Sequence, residues 1–524
     1  MKASTLYSVV ISLIVALGGF LLGFDSAVIS GATPFYKSFF QLASGSYLIG
    51  FSVAAIILGA ILGNIIAGPL ADRFGRKIIL IITAALFSFC AIGTAFSEHI
   101  TFFITARIIG GIGVGMAILV APMYIAEIAP KKLRGRLVTF NQLNIVLGIS
   151  IAFFSNYIIL KHVTDPTMNW RWMLGVGVIP AFLYFLLLFI VPGSPRWLVQ
   201  VGRDEEAKRV IGKVNGADQV DPVYNEIKEN LERSKNIERG SWREVFSKNM
   251  KTVLIIGFGI AFFQQITGIN AIFYYAPMIF EMAGGGKDAA FMQAAILGVT
   301  NVIMTLVSMA LIDRLGRKPL LIIGSIGIFL SMLLVSVSFM KASYQIKTES
   351  ISKISNEVVG GEYKDQAATV TNGLSLMAGK IYSSETRFFA DVKANIGSAN
   401  YNHFKEVILK SSISIHGRLI LVGLLLFVAS FAISLGPVMW ALLSEIFPNK
   451  LRGVAISVVG FWNSIVSFSV TSIFPVQLEH MGSSMTYMVY SVFGLLTLLF
   501  VLKYVPETKG KSLEEIETTL VRAH

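Results

Sequence analysis

The sequence predicts an all-α membrane protein of twelve transmembrane helices in two pseudo-symmetric six-helix bundles, with short helices on the cytoplasmic side. Three observations predict it. Hydrophobic residues make up 54% of the 524-residue chain and charged residues 14%, against roughly 25% charged in an ordinary soluble domain. Apolar runs long enough to cross a hydrocarbon core of ~30 Å recur twelve times, and in lipid such runs must be helices because the backbone has to satisfy itself. Motifs at the ends of the first six runs return in the second six.

The spans are expected near 8–31, 47–70, 78–97, 101–125, 138–160 and 172–192, then 252–281, 289–312, 319–340, 417–443, 454–478 and 485–504. DRFGRK at 72–77 recurs as DRLGRK 241 residues later, and EIAPKKLRGR at 127–136 recurs as EIFPNKLRG 318 residues later. The offset grows by 77, so an insertion separates the ninth and tenth spans, at residues 341–415. It has no Pro, mixes Lys with Asp and Glu, and contains stretches such as 385–395 that suit a helix. The expectation is a partly helical cap on the outer face, with a loose loop as the alternative.

A net charge of +13 invites a nucleic-acid partner, but the placement of the charges excludes one. Arg73, Arg76, Lys77 and Lys131, Lys132, Arg134, Arg136 crowd short loops on one side, while the opposite short loops hold only Lys37, Lys161, Arg171 and Lys287. This bias places the basic loops, and both termini, in the cytoplasm. The single cysteine, Cys90, lies in an apolar run and allows neither an internal disulfide nor a cysteine metal site. The first run is not a cleaved signal, because it contains Asp25, lacks a convincing cleavage site and precedes eleven similar spans.

The chain thus divides into an N-terminal bundle at 1–196, a cytoplasmic linker at 197–250, a C-terminal bundle at 251–505 and a cytoplasmic tail at 506–524. DEEAKRVIGKV and VYNEIKENLERSKNI in the linker have helical periodicity. In the tail, Ser512 with Glu515 reads as a capping box. The insertion holds no Asn-x-Ser/Thr glycosylation site, which favours a bacterial plasma (inner) membrane.

The paired DRxGRK and ExxPxxLRG motifs, with PGSPRWL at 192–198, QQITGIN at 264–270 and VPETKG at 505–510, resemble the sugar porter branch of the major facilitator superfamily. GFDSAVISG at 23–31 looks closest to bacterial D-xylose–proton symporters. The resemblance implies two bundles rocking about a central site, with a monosaccharide (pentose or hexose, xylose-like favoured) and a proton as cargo, no cofactor or metal, and a functional monomer in a lipid bilayer.

Asp25 is the most informative residue. A bare carboxylate within a span costs several kcal/mol, so it requires a partner, and Arg107 in the fourth span is the natural one. The plain reading is a structural ion pair. The functional reading is proton coupling: the guanidinium favours the charged carboxyl while the pair is closed, and desolvation favours the protonated one when it opens. The resemblance supports the second, since proton-coupled members keep a carboxylate here.

A sugar needs neutral groups that donate and accept, and a ring against its C–H face. Gln264, Gln265 and Asn270 supply amides in the seventh span, which Gly268 and Pro277 should break. The resemblance adds Gln142 and Asn301 as sugar contacts and Trp440 as a stacking ring three residues beyond a Gly436-Pro437 break. Phe24, Tyr274 and Trp462 are expected in the walls. Phe461 stands where related carriers often have Gln or Asn, which bears on substrate choice.

At the inner ends, Asp72, Arg73, Arg76, Glu127 and Arg134 mirror Asp313, Arg314, Arg317, Glu445 and Arg452, clusters able to bridge helix ends as gates. Glu507 joins this network, whereas its first-half counterpart is Gly193, so the N-terminal half should be latched more weakly. GGIGVGM at 110–116 lies mid-span with no preceding strand, so its glycines serve close helix packing rather than a dinucleotide. No enzyme constellation is present. A facilitative uniporter and a sugar sensor remain the alternatives to a symporter.

Overall fold

The computed structural model describes the whole chain except residues 1–2, 44, 131–132, 237–241, 360–365, 449, 512–514 and 517–524. Ser512 of the expected capping box and the basic pair Lys131 and Lys132 lie outside the described residues. The first six spans are Ala3–Phe39, Tyr47–Phe74, Arg76–Ala95, Ile100–Ile128, Arg134–His162 and Pro166–Leu188. The next four lie within Lys248–Met282, Lys287–Leu315, Arg317–Met340 and Gly417–Ile446. The last two form one helical stretch, Arg452–Tyr504, of 53 residues. At 1.5 Å per residue that is about 80 Å, far more than one bilayer crossing needs. Gly482 turns the chain back within it, at φ 75° and ψ 166°, backbone angles that glycine adopts without the penalty a Cβ would bring. Twelve crossings result, most of them longer than the apolar runs because the helices continue into their polar ends.

Two spans are broken where the site lies. The seventh runs as Lys251–Ile266, passes through Gly268 at φ 93°, and resumes as Ile269–Met282. Tyr275, two residues before Pro277, departs from helical angles, because a prolyl ring excludes the regular turn before it. The tenth breaks at Ser434, between Gly417–Ile433 and Leu435–Ile446, not at Gly436-Pro437 as expected. Pro437 sits instead in the first turn of the new helix, where no intrahelical donor is lost.

Gly111 and Gly115 of the fourth span pack against the second at backbone contact, while Gly110 and Gly113 face the third. A Cβ on Gly111 would lie 2.2 Å from the Ile56 carbonyl oxygen, and one on Gly115 equally close to that of Ala60. These contacts account for GGIGVGM as a packing surface.

The two bundles meet on the side remote from the basic loops. Phe35 faces Phe291 at 6.5 Å, Phe51 meets Phe468 edge-on at 5.9 Å, and Phe153 approaches Phe273 at 6.4 Å. A Cβ on Gly50 would fall 1.8 Å from the Ser472 carbonyl oxygen, so the second and eleventh spans touch backbone to backbone there. Among the described residues no aromatic pair joins the bundles near the basic rim, whereas three join them on the far side.

The linker forms helices Pro195–Gln200, Asp204–Asn215 and Val220–Asn236, as its periodicity predicts. The described residues of the insertion form a cap with a sheet and helices of its own. Strand Ser343–Gln345 pairs antiparallel with Ile381–Tyr382 on one side and Ile413–Ser414 on the other. Helices Thr348–Val359, Ala367–Ser375, Glu385–Ile396 and Ser398–Ser412 enclose a separate core around Ile354, Leu374, Phe388 and Ile408. It docks on the turn between the last two spans, where the Ser483 amide donates to Glu385 at 2.9 Å.

Candidate functional site

Asp25 and Arg107 meet as expected. The Arg107 Nη1 donates to Asp25 Oδ2 at 2.9 Å, with the arginine side chain wholly buried and the aspartate 16% exposed. The second guanidinium nitrogen reaches the Val53 carbonyl at 3.4 Å, and Nε has no partner. The Cys90 thiol lies 3.9 Å from the other carboxylate oxygen. The guanidinium is sealed from both lipid and water by its burial. A pair held this way is costly to break, because removing either partner leaves an uncompensated buried charge.

Beside it lies a cavity of about 230 Å³ between the bundles. Ser26, next to Asp25 in the first span, lines it, so the ion pair and the cavity share one helical turn. The N-terminal half also contributes Gln142; the C-terminal half contributes Gln264, Gln265, Asn270, Tyr274, Asn301 and Trp440. Trp440 keeps 44% of its surface free, leaving a ring face for an apolar patch.

The amides are fixed by one another. Gln264 donates to the Leu435 carbonyl at 2.9 Å, an acceptor freed by the break at Ser434. Its oxygen accepts from Gln265 at 3.1 Å and from Asn463 at 2.9 Å. Gln265 also donates to Asn463 at 3.0 Å and accepts from Asn270 at 2.8 Å, while Asn270 donates to Ser467 at 2.6 Å. Such a network orients its members before any ligand arrives.

Two expected wall residues are elsewhere. Phe24 is buried and stacks on Phe20, with its backbone against the fifth span near Gly148. Trp462 packs edge-on against Phe258, away from the cavity. Phe24 is two positions from the lining residues Leu22 and Ser26, about 200° around the helix, and so points away from the cavity. Phe461 does not line the cavity either. It lies seven residues before Phe468, on the same helix face, and so points into the cleft on the basic side with 47% exposed. The eleventh span joins the amide network from behind the cavity wall through Asn463, a residue the sequence reading missed. Its signal was a polar residue in the apolar run of the eleventh span, one position beyond Trp462. Thr305 and Ser26 were missed likewise.

At the basic rim, each half holds its own cluster. Arg76 pairs with Asp72 at 3.3 Å and Glu127 at 3.1 Å; Arg317 pairs with Asp313 at 3.5 Å and Glu445 at 2.7 Å. Ser194 donates to Glu127 and Thr508 to Glu445, so both halves share a hydroxyl clasp. Glu507 accepts from the amides of Arg317 and Lys318, both at 3.1 Å, rather than from a guanidinium. Arg73 lies over the Phe74 ring, and Arg452 donates to the Phe447 carbonyl. Arg134 and Arg314 form no ion pair among the described residues, and no described pair in these clusters crosses between the halves.

A family profile described as "Sugar (and other) transporter" matches residues 11–356 and 403–520, leaving only the middle of the cap unmatched within its span. The arabinose-proton symporter of Bacillus subtilis is 34% identical over 522 residues, covering 98% of this chain and 96% of its own length. The D-xylose-proton symporter of Escherichia coli is 32% identical, covering 97% of this chain and 94% of its own. The inward-open structure of the xylose transporter XylE from E. coli superposes with a TM-score of 0.74 at 32% identity, covering 98% of this chain and all of that one. A chain with this profile match, these relatives and this fold belongs to the sugar porter family of the major facilitator superfamily.

Proposed function

We propose that the protein imports a monosaccharide, a pentose by preference, together with a proton, by alternating access of one cavity to the two sides of the membrane. The observation that supports this most directly is the buried Asp25–Arg107 pair one residue from the amide-lined cavity. The amides of Gln142, Gln264, Gln265, Asn270 and Asn301 bind hydroxyls as donors and acceptors, and Trp440 covers the C–H face. When the first and fourth spans shift apart, Asp25 loses its cation and takes a proton. When they close, Arg107 displaces that proton toward the basic side. Sugar binding draws the bundles together and so links the two cargoes.

In this reading residues 1–196 and 251–505 are the moving bodies, 197–250 joins them, and 506–524 is the tail. The rim clusters gate the inner side, the basic rim and both termini lie in the cytoplasm of a bacterial cell, and one chain suffices. Sugar uptake into proteoliposomes, with and without an imposed pH gradient, tests it. Accumulation above equilibrium only with the gradient is expected. Uptake indifferent to pH would identify a uniporter, and binding without uptake a sensor.

A further inference from the structure

We propose that the groove at the inner end of the seventh span is a binding site for an anionic glycerophospholipid. Lys251 opens this span, and Leu254, Ile255 and Phe258 follow at three, four and seven residues, on one face of the helix. Phe246, 59% exposed, stands beside this stripe at the end of the linker. Together with Lys248 these residues bound an open groove of about 390 Å³ at the basic rim.

Several cations of the rim are engaged, although Arg134 and Arg314 also lack an ion pair among the described residues; the groove differs in setting its unengaged lysines beside an apolar stripe. Arg76 and Arg317 are ion-paired, and Lys450 pairs with Glu244. Lys77, Lys318 and Lys509 donate to the carbonyls of Phe189, Leu502 and Arg314. Lys248 and Lys251 are exposed and meet no carboxylate or carbonyl among the described residues. Two free ammonium groups at headgroup depth call for a phosphate, and the apolar stripe running from them into the membrane calls for an acyl chain. A free phosphate ion would leave that stripe uncovered, and a zwitterionic lipid would set its own cation beside the lysines. The occupant is therefore a lipid of net negative charge. Its phosphate fastens the inner end of the helix that bears Gln264 and Gln265.

The site stands apart from the transport reading, and it is tested by lipid retention. The purified full-length protein is equilibrated with vesicles of phosphatidylglycerol or of phosphatidylcholine with the same acyl chains, and bound lipid is counted by native mass spectrometry. With each lysine worth about fivefold, the wild type should prefer phosphatidylglycerol by about 25-fold. Lys248→Gln/Lys251→Gln should abolish the preference, whereas Lys213→Gln/Lys228→Gln, on exposed linker positions, should keep it. Equal retention of both lipids by the wild type, or an unchanged preference in Lys248→Gln/Lys251→Gln, would overturn the proposal. So would displacement of the phosphatidylglycerol by inorganic phosphate alone.

Discussion

The two halves descend through the same motifs, yet they hold different chemistry at the same depth. The N-terminal half buries a charge pair, Asp25 with Arg107, and gives the cavity a single amide, Gln142. The C-terminal half places no charge there and supplies a web of amides whose members brace one another. The difference teaches a division of labour. A charge in oil responds steeply to small changes in solvation and suits a proton, whereas neutral amides bind hydroxyls with little dependence on pH. Under the proposed mechanism, motion that rearranges the first and fourth spans as the halves rock is what would link them.

The largest expected effect breaks the charged half. Asp25→Asn keeps an oxygen for Arg107 but cannot exchange a proton, so sugar accumulation should fall to equilibrium while sugar-for-sugar exchange persists. Counterflow and gradient-driven uptake in the same liposomes check it. Concentrative uptake by this variant would remove Asp25 from the coupling. Next comes the neutral half. Gln264→Ala orphans buried partners at Asn463 and Leu435, a cost of about 1–3 kcal/mol. Apparent sugar affinity should weaken about 5- to 150-fold with the pH dependence of uptake unchanged. A moved pH profile would show that the halves do not divide the work this way.

Much of this division was legible in the sequence. Asp25 announced itself because a carboxylate in an apolar run needs a partner, and Arg107 in the fourth span was the natural one. Gln264, Gln265 and Asn270 were visible for the same reason. The orientations of Phe24, Trp462 and Phe461 were not. Large apolar side chains are at home in the cavity, the bundle interior or lipid, so composition gives no direction, and one residue of error rotates the side chain out of the site. The break at Ser434 was hidden because Gly436 and Pro437 are compatible with either side of a helix start. The cap's core was hidden too, because it comes from apolar residues scattered over four short helices.

At the rim the comparison can be sharpened by exchange. The third and ninth spans both begin after a glycine, Gly75 or Gly316, with no side-chain cap of their own. Only the ninth receives one from elsewhere, the Glu507 carboxylate. Burial would raise the proton affinity of that carboxyl, but amide donors from Lys509, Arg317, Lys318 and Thr508 outweigh it and hold it below the ordinary glutamate range. With a folded value depressed, the latch is complete above the unfolded value of about 4.3 and fades only as pH falls through the lower folded one. Glu507→Ala should cost about 1 kcal/mol at neutral pH. It should also flatten the loss of thermal stability on acidification. Gly193→Glu is the converse: Leu198 must yield slightly, and the third span gains a cap it lacks. A stability gain in that variant, read as Tm, would show that the halves differ at the rim by this one carboxylate.

The smallest effect concerns the cap, which has no counterpart in the N-terminal half. Lys405 pairs with Glu479 near the end of the eleventh span, and Tyr401 donates to the same carboxylate at 2.9 Å. The Glu479 side chain in turn packs where a Cβ on Gly45 would sit, in the outer loop of the opposite bundle. The cap therefore steadies a residue at the seam that must part when the far side opens. Lys405→Met removes the cation but keeps the apolar stem, and a partly exposed pair is worth about 1 kcal/mol or less. Amide exchange in Ser398–Ser412 should quicken about fivefold or less while its core stays protected. If exchange changes instead in the buried strand Ser343–Gln345, the cap would be unfolding as a whole, and Lys405 would belong to its stability rather than to its grip on the seam.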